Sequence, residues 1–563
     1  MTTYLTRREF MGAAATAAAI PLLPRVSAAE RSAVGPFTVP ARTQNAMDRD
    51  LREVTIPRLQ ALYETRQYTA TQVTQWYLDR IARYDRVYRA LLHVDAVGAL
   101  AAAAAQDAEA EAGRHRFKRG PLWGVPIVIK ANTSVKGLVT SAGWWGYVIP
   151  GHELIAPADA TVVAKLKAAG AIILGQTNMP DFAASDTNFS SAFGRTGNAY
   201  NVRFSPGGSS GGTVTAVAAN FCVIGTGTDT GNSIRMPAGT SAVVGFLPTR
   251  GLVSIAGIHP LDWLRDNTGP IARDVTDTAI ALDAMAGEDP KDFLTRDSAT
   301  QAQSGPYTTY LSADALKDKR FGVPAFIVRV DPEGSTSDDS LTLRPETREM
   351  FMKALDGLRA AGATVVFDDS ILPEGFLELM RAVNTEAYEG EGIERFLREF
   401  GPPEYHSSAE YAQAVGSPLP AGLLGLSGGP QPSGAAQRLL ESDPMAEATL
   451  WQPQRTARAA YEDALDRFQL NGMVYPALQM PPNDELISLL AGRRSTGPHS
   501  QTSWVNLIGV PAAVVPAGFY ANGLPFGLEL SARRWKDGDL IGWAFAYEQA
   551  TRYRKAPVLR EKR

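Results

Sequence analysis

The chain has 563 residues, of which 45% are hydrophobic and 20% charged, with a formal net charge of −4. This is the composition of a folded globular protein, and without a long basic run it argues against nucleic acid or an anionic membrane as the main partner. A single cysteine (Cys222) and six scattered histidines offer neither an internal disulfide nor the paired ligand spacing of a zinc site.

The first segment reads as a targeting signal. Thr6-Arg7-Arg8-Glu9-Phe10-Met11 precedes a weakly apolar, Ala-rich run from Gly12 to Leu23, and small residues follow from Val26 to Ala29. Charged region, short apolar region and small-residue cleavage site together make an export signal of the twin-arginine type over residues 1–29. The apolar run is too short to cross a hydrocarbon core of about 30 Å. The mature protein, from about residue 30, is therefore expected to be periplasmic or secreted, with no stable membrane insertion.

Thr69 and Gln72 fit a capping box, and Val73, Trp76, Tyr77, Ile81 and Tyr84 recur at helical spacing, predicting an amphipathic helix over 69–84. An Ala-rich helix over 97–111 follows, then a short β-branched run, 126–129, that reads as a buried strand delivering Lys130 at its end. A helix over 161–169 stops at Gly170 before a strand over 171–174, and the same order returns over 345–367. Strands are predicted at 511–516 and 527–530 and a closing helix at 541–551. Alternation of this kind predicts an α/β fold: one large α/β/α domain over 30–563 around a mixed, twisted sheet, with an insertion-rich middle at about 290–495. Within that middle, 289–308 and 401–443 are rich in Gly, Pro and Ser, and Gly422 to Pro430 reads as a mobile loop or lid, or as a solvated insertion.

Two glycine-rich segments concentrate the chemistry. Ser205 to Gly212 opens a helix-like run, and a strand-like run ending at Ile224 leads into Gly225 to Ser233. Glycine allows close backbone approach, so that consecutive N–H groups can converge on one point, as an oxyanion requires. Amide hydrolysis also needs an activated nucleophile and a proton acceptor. No histidine lies near either segment, but a lysine serves if burial disfavours its ammonium form, and Lys130 ends an apolar strand.

These residues resemble the amidase signature family. Gly124 to Lys130 resembles its lysine motif; Asn178-Met179 with Phe182-Ala183 and then Ser191 to Gly194 resemble its next block; Gly207 to Gly212 with Thr228 to Arg235 resemble the signature itself. Ser209 and Ser233 are 24 residues apart, the family's separation of its two catalytic serines. The likeness resumes at Asn506 to Pro511 and Gly523 to Gly527 and ends at Ala546 to Ala550. The resemblance implies an amidase with Ser233 as nucleophile, Ser209 (held by a cis peptide bond to Gly208) as bridge, and neutral Lys130 as proton acceptor. It implies an oxyanion hole of the backbone N–H groups of Thr230, Gly231, Asn232 and Ser233, loop support from Asp229 and Arg235, a bracing role for Ser210, and no metal or organic cofactor.

Two positions depart from the pattern: Asn232 stands where the family has a second Gly, and Ala131 where it has Asp after the lysine. The substrate is expected to be a small-molecule amide, with Trp144 and Trp145, and more weakly Trp263, as candidate walls of an apolar acyl pocket. The alternatives are an esterase, a non-catalytic binding protein on the same scaffold, or a component that releases ammonia from glutamine for tRNA-linked chemistry, which the export signal opposes. Gly208 to Gly212 also matches G-x-S-x-G, which would make Ser210 a nucleophile served by His499.

Overall fold

The computed structural model describes residues 41–113, 119–329, 342–372, 375–420, 438–492 and 497–561. The export segment 1–29 and the Gly422–Pro430 stretch lie outside the described residues.

Strand-forming text becomes thirteen strands among these residues: β1 (Leu91–Val94), β2 (Pro126–Lys130), β3 (Ile172–Thr177), β4 (Phe189–Ser190), β5 (Gly194–Arg195), β6 (Ile224–Asp229), β7 (Val244–Leu247), β8 (Asn267–Ala272), β9 (Arg320–Val323), β10 (Thr364–Phe367), β11 (Gly472–Pro476), β12 (Ala512–Phe519) and β13 (Pro525–Ala532). Eleven of them form one mixed sheet in the order β1-β3-β2-β6-β8-β7-β12-β13-β11-β9-β10, while β4 and β5 pair separately. β2 runs parallel to both neighbours, β3 and β6, whereas β6–β8, β8–β7, β7–β12 and β12–β13 are antiparallel. Every residue of β2, β3, β6, β7, β8, β11 and β13 is buried, so both faces of the sheet are covered.

The covering helices follow their local signals. Ala70–Tyr88 carries the reciprocal capping box of Thr69 and Gln72. Ala96–Ala112 is capped by Asp95, Pro345–Ala360 begins with Pro at its first turn, and Asp537–Thr551 packs on β12 and β13. The Gly/Pro/Ser-rich text after 401 is not all loop, since Ser407 caps a helix at Ser408–Val415. The core runs continuously from Ile127, Val128 and Ile129 of β2 through Val214 and Val217 to Val514 and Leu530.

Residues 554–560 close on the segment 53–88. Arg554 pairs with Glu53 at 2.8 Å, and the Arg560 N–H donates to Tyr88 Oη at 2.9 Å. No helix among the described residues is long and apolar enough to cross a membrane.

Candidate active site

β2 and β6 lie side by side and parallel, with Ile127 opposite Ile224 and Val128 opposite Gly225. Lys130 at the end of β2 therefore stands beside the end of β6, at the carboxyl edge of parallel strands, where open α/β sheets place their ligands. The loop 230–233 leaves β6 at this edge, and the segment 205–210 reaches it just before the helix Gly211–Ala218. The Ser210 N–H donates to the Ser233 carbonyl at 3.1 Å and ties the two glycine-rich segments together.

Lys130 is fully buried. Its Nζ lies 2.8 Å from Ser209 Oγ, 2.7 Å from Thr228 Oγ1 and 3.2 Å from the Thr228 carbonyl oxygen. Burial drives its pKa from 10.5 down to about 7, against a smaller opposing pull from Asp229 and Asp266. An uncharged amine has two N–H donors and one lone pair. The Thr228 carbonyl can only accept, so Thr228 takes N–H donation and the lone pair is left for a hydroxyl hydrogen such as that of Ser209.

The Gly208–Ser209 peptide is cis. A Cβ at Gly208 would sit 2.5 Å from the Thr187 carbonyl oxygen and 2.6 Å from that of Ser185, so this wall requires glycine. Ser210 Oγ donates to the Thr228 carbonyl at 3.3 Å, a bracing contact. His499 does not serve Ser210; its Nδ1 lies 3.3 Å from Asp186 Oδ2.

A buried ion-pair network holds the loop after β6. Arg235 and its partners Asp229 (3.1 Å) and Glu529 (2.6 Å) are all wholly inaccessible to solvent. Arg235 also donates to Gly231 O (2.8 Å), Thr502 O (3.1 Å) and Asn506 Oδ1 (2.6 Å), and Asn506 returns a bond to Asp229 Oδ1 at 3.0 Å. The arginine holds the Asp229 carboxyl below its usual range despite burial, which acts the other way. In a trans peptide the C=O and N–H point in opposite directions, so fixing Gly231 O on Arg235 aims the Asn232 N–H away from the guanidinium. Among the described residues, no protein acceptor meets the backbone N–H groups of Thr230, Gly231, Asn232 or Ser233. Four consecutive free donors are a means of holding negative charge on a ligand oxygen.

A cleft of about 560 Å³ opens onto this loop, lined by Thr230, Gly231, Asn232 and Ser233 on one side and by 183–187, Leu261, Asp262, Arg265, Glu389, Gly497 and His499 on the others. Burial and the neighbouring Asp262 raise the Glu389 carboxyl to about 8. The Thr230 hydroxyl donates to Asp266, whose carboxyl burial raises to about 7.

The tryptophans stand elsewhere. Trp144 packs against Tyr147, Phe182 and Tyr411 in an aromatic cluster, Trp145 is 51% exposed, and neither is among the residues lining the cleft. Trp144 supports the wall from behind, through Phe182 next to Ala183. Trp263 is buried and donates its Nε1–H to the Tyr388 carbonyl at 2.9 Å. The sequence does not by itself mark Thr228, Asp186, Arg265, Asp266 or Glu389 as functional. Only Thr228 lay in a recognisable motif, and the others come from text with no chemical pattern of its own.

A family model described as Amidase matches residues 72–541. A Glutamyl-tRNA(Gln) amidotransferase component of Thermosynechococcus vestitus is 33% identical over 500 residues, covering 86% of this chain and 95% of the relative. Among solved structures, the native peptide amidase from Stenotrophomonas maltophilia superposes with a TM-score of 0.72 at 31% identity, over 90% of this chain and 99% of that one. An amidase family protein from Bacillus anthracis gives a TM-score of 0.73 at 25% identity, over 93% and 96% of the two chains.

Proposed function

This chain belongs to the amidase family, and from that premise we propose that it hydrolyses the C–N bond of a small carboxylic amide by a serine–serine–lysine relay, releasing ammonia or an amine. Ser233 Oγ attacks the carbonyl carbon, Ser209 takes the Ser233 proton while passing its own to Lys130, and the backbone N–H groups of 230–233 hold the oxyanion. Collapse breaks the C–N bond as the departing nitrogen takes the proton back through the same path. Water then releases the acyl group from Ser233, with the relay repeated. The observation that carries this reading is the fully buried Lys130, 2.8 Å from Ser209 Oγ, beside a loop whose four N–H donors are free among the described residues.

Ser233→Ala is expected to fold normally and to lose amide turnover, measured as ammonia or amine release from aliphatic, aryl and peptide C-terminal amides. Near-native rates in that variant would remove Ser233 from the nucleophile's role. The name of the Thermosynechococcus relative favours a second reading, glutamine-dependent and tRNA-linked. Faster turnover of free glutamine than of every simple amide would decide for it. The twin-arginine-type segment at 1–29 supports action outside the cytoplasm. Fused to a reporter, this segment is expected to export it, and replacing Arg7 and Arg8 by Lys is expected to retain it inside.

A further inference from the structure

Asn232 occupies the position before Ser233 where the resembling pattern has glycine, so a side chain projects where none is needed to shape the loop. Its amide nitrogen lies 3.1 Å from Asp186 Oδ1 and 2.9 Å from Ser500 Oγ. A carboxylate oxygen only accepts, which fixes the nitrogen of Asn232 on that side. Asp186 is in turn 3.3 Å from His499 Nδ1, and the His499 carbonyl accepts from the Gln479 N–H at 3.0 Å. The amide therefore links three separate pieces of chain: the loop carrying Ser233, the wall at 183–187 and the segment 497–502. Asp186, Asn232 and His499 all line the cleft.

This brace has steric and chemical consequences. Both N–H groups of Asn232 are committed to protein partners, while no protein donor meets its Oδ1 among the described residues. Beside Ser233 the cleft wall therefore carries an amide backed by a carboxylate and an imidazole. Gly231, by contrast, has room beside it: a Cβ there would meet only Ser503 Cβ, at 3.5 Å.

We propose that the side chain of Asn232, braced by Asp186 and Ser500, is a specificity-determining element that restricts the cleft to slim amides and rejects those broad on either side of the reacting carbonyl. This inference rests on the reaction proposed above. Slim means a primary amide of a straight-chain acid; broad means an anilide or an amide of a branched acid.

The test measures kcat/KM for the four combinations of straight or branched acyl group with primary amide or anilide, in the wild type, Asn232→Gly, Asp186→Ala and the double variant. Asn232→Gly is expected to raise the broad-to-slim ratio by about tenfold or more, the scale on which pocket fit discriminates. Asp186→Ala, which cuts the brace from its other end, is expected to move the ratio in the same direction. In the double variant the combined effect is expected to be smaller than the product of the single effects, because both remove one contact. Thermal unfolding of each variant confirms that it is folded, and either single variant tests the brace alone. An unchanged ratio in both, or a uniform loss across all four amides, would overturn the inference while leaving the reaction intact. Absence of Ser233-dependent turnover of any amide by the wild type would instead overturn the reaction.

Discussion

Lys130 is costly to keep, and the proposed relay requires it uncharged. With its pKa near 7, its lone pair is available only above that value, so kcat/KM for amides is expected to fall as pH drops through about 7. An acid limb that stays flat down to about pH 4 would rule out a lysine acceptor. Lys130→Ala should remove amide turnover more completely than ester cleavage, because a departing alcohol depends less on protonation than a departing amine. The same shift predicts a stability effect of definite sign. Between about pH 7 and 10.5 the unfolded chain holds a proton on Lys130 that the folded chain does not, so wild-type stability gains from this group as pH rises. Lys130→Met is therefore expected to melt above the wild type at pH 7, with a narrowing advantage toward about pH 10, as thermal unfolding at both values would show.

The elements around the site are held by Arg235, which joins the end of β6, the loop to Ser233, the helix Trp504–Ile508 through Asn506, and β13 through Glu529. Removing it strands two buried carboxylates. Arg235→Ala is expected to cost about 3–5 kcal/mol in denaturant unfolding, and Arg235→Lys to recover only part, since a single ammonium cannot reproduce a fork of donors spread over so many partners. Local signals are legible in the sequence. The capping box before Ala70, the β-branched run ending at Lys130 and the spacing of two serines each lie within one element or one motif. Partners that meet only through the fold are not legible there. Arg235 and Glu529 are separated by 294 positions and Asn232 and Ser500 by 268, and neither Glu529 nor Ser500 sits in text that signals a role. Aromatic residues carry a related ambiguity: an aromatic pair looks the same in sequence whether it faces a ligand or, like Trp144, packs behind a wall.

Across the whole molecule, several carboxyls are buried without a strong cation beside them. Burial raises Asp85 and Asp537 to about 6 and Glu548 to about 8. From about pH 4 upward the folded chain keeps protons on these groups that the unfolded chain has lost, so their contribution to stability declines as pH rises through that range. Glu53, held low by Arg554 in spite of burial, works in the opposite sense and loses its contribution as pH falls below the ordinary glutamate range. The fold is accordingly expected to melt higher at about pH 5.5 than at about pH 8, on the acidic side of the range in which Lys130 is uncharged. Equal melting temperatures at the two values would show that these carboxyls are hydrated in solution.

The cleft's walls have a divided origin. Asp186, Asn232 and Ser233 belong to the first half of the chain, while Glu389, Gly497 and His499 are contributed by its later half. The proposed nucleophile and most of what surrounds it thus share one stretch of text, and the later one closes the far side of the cleft. Drift in the later stretch can reshape that far side while leaving Lys130, Ser209 and the loop 230–233 as they stand.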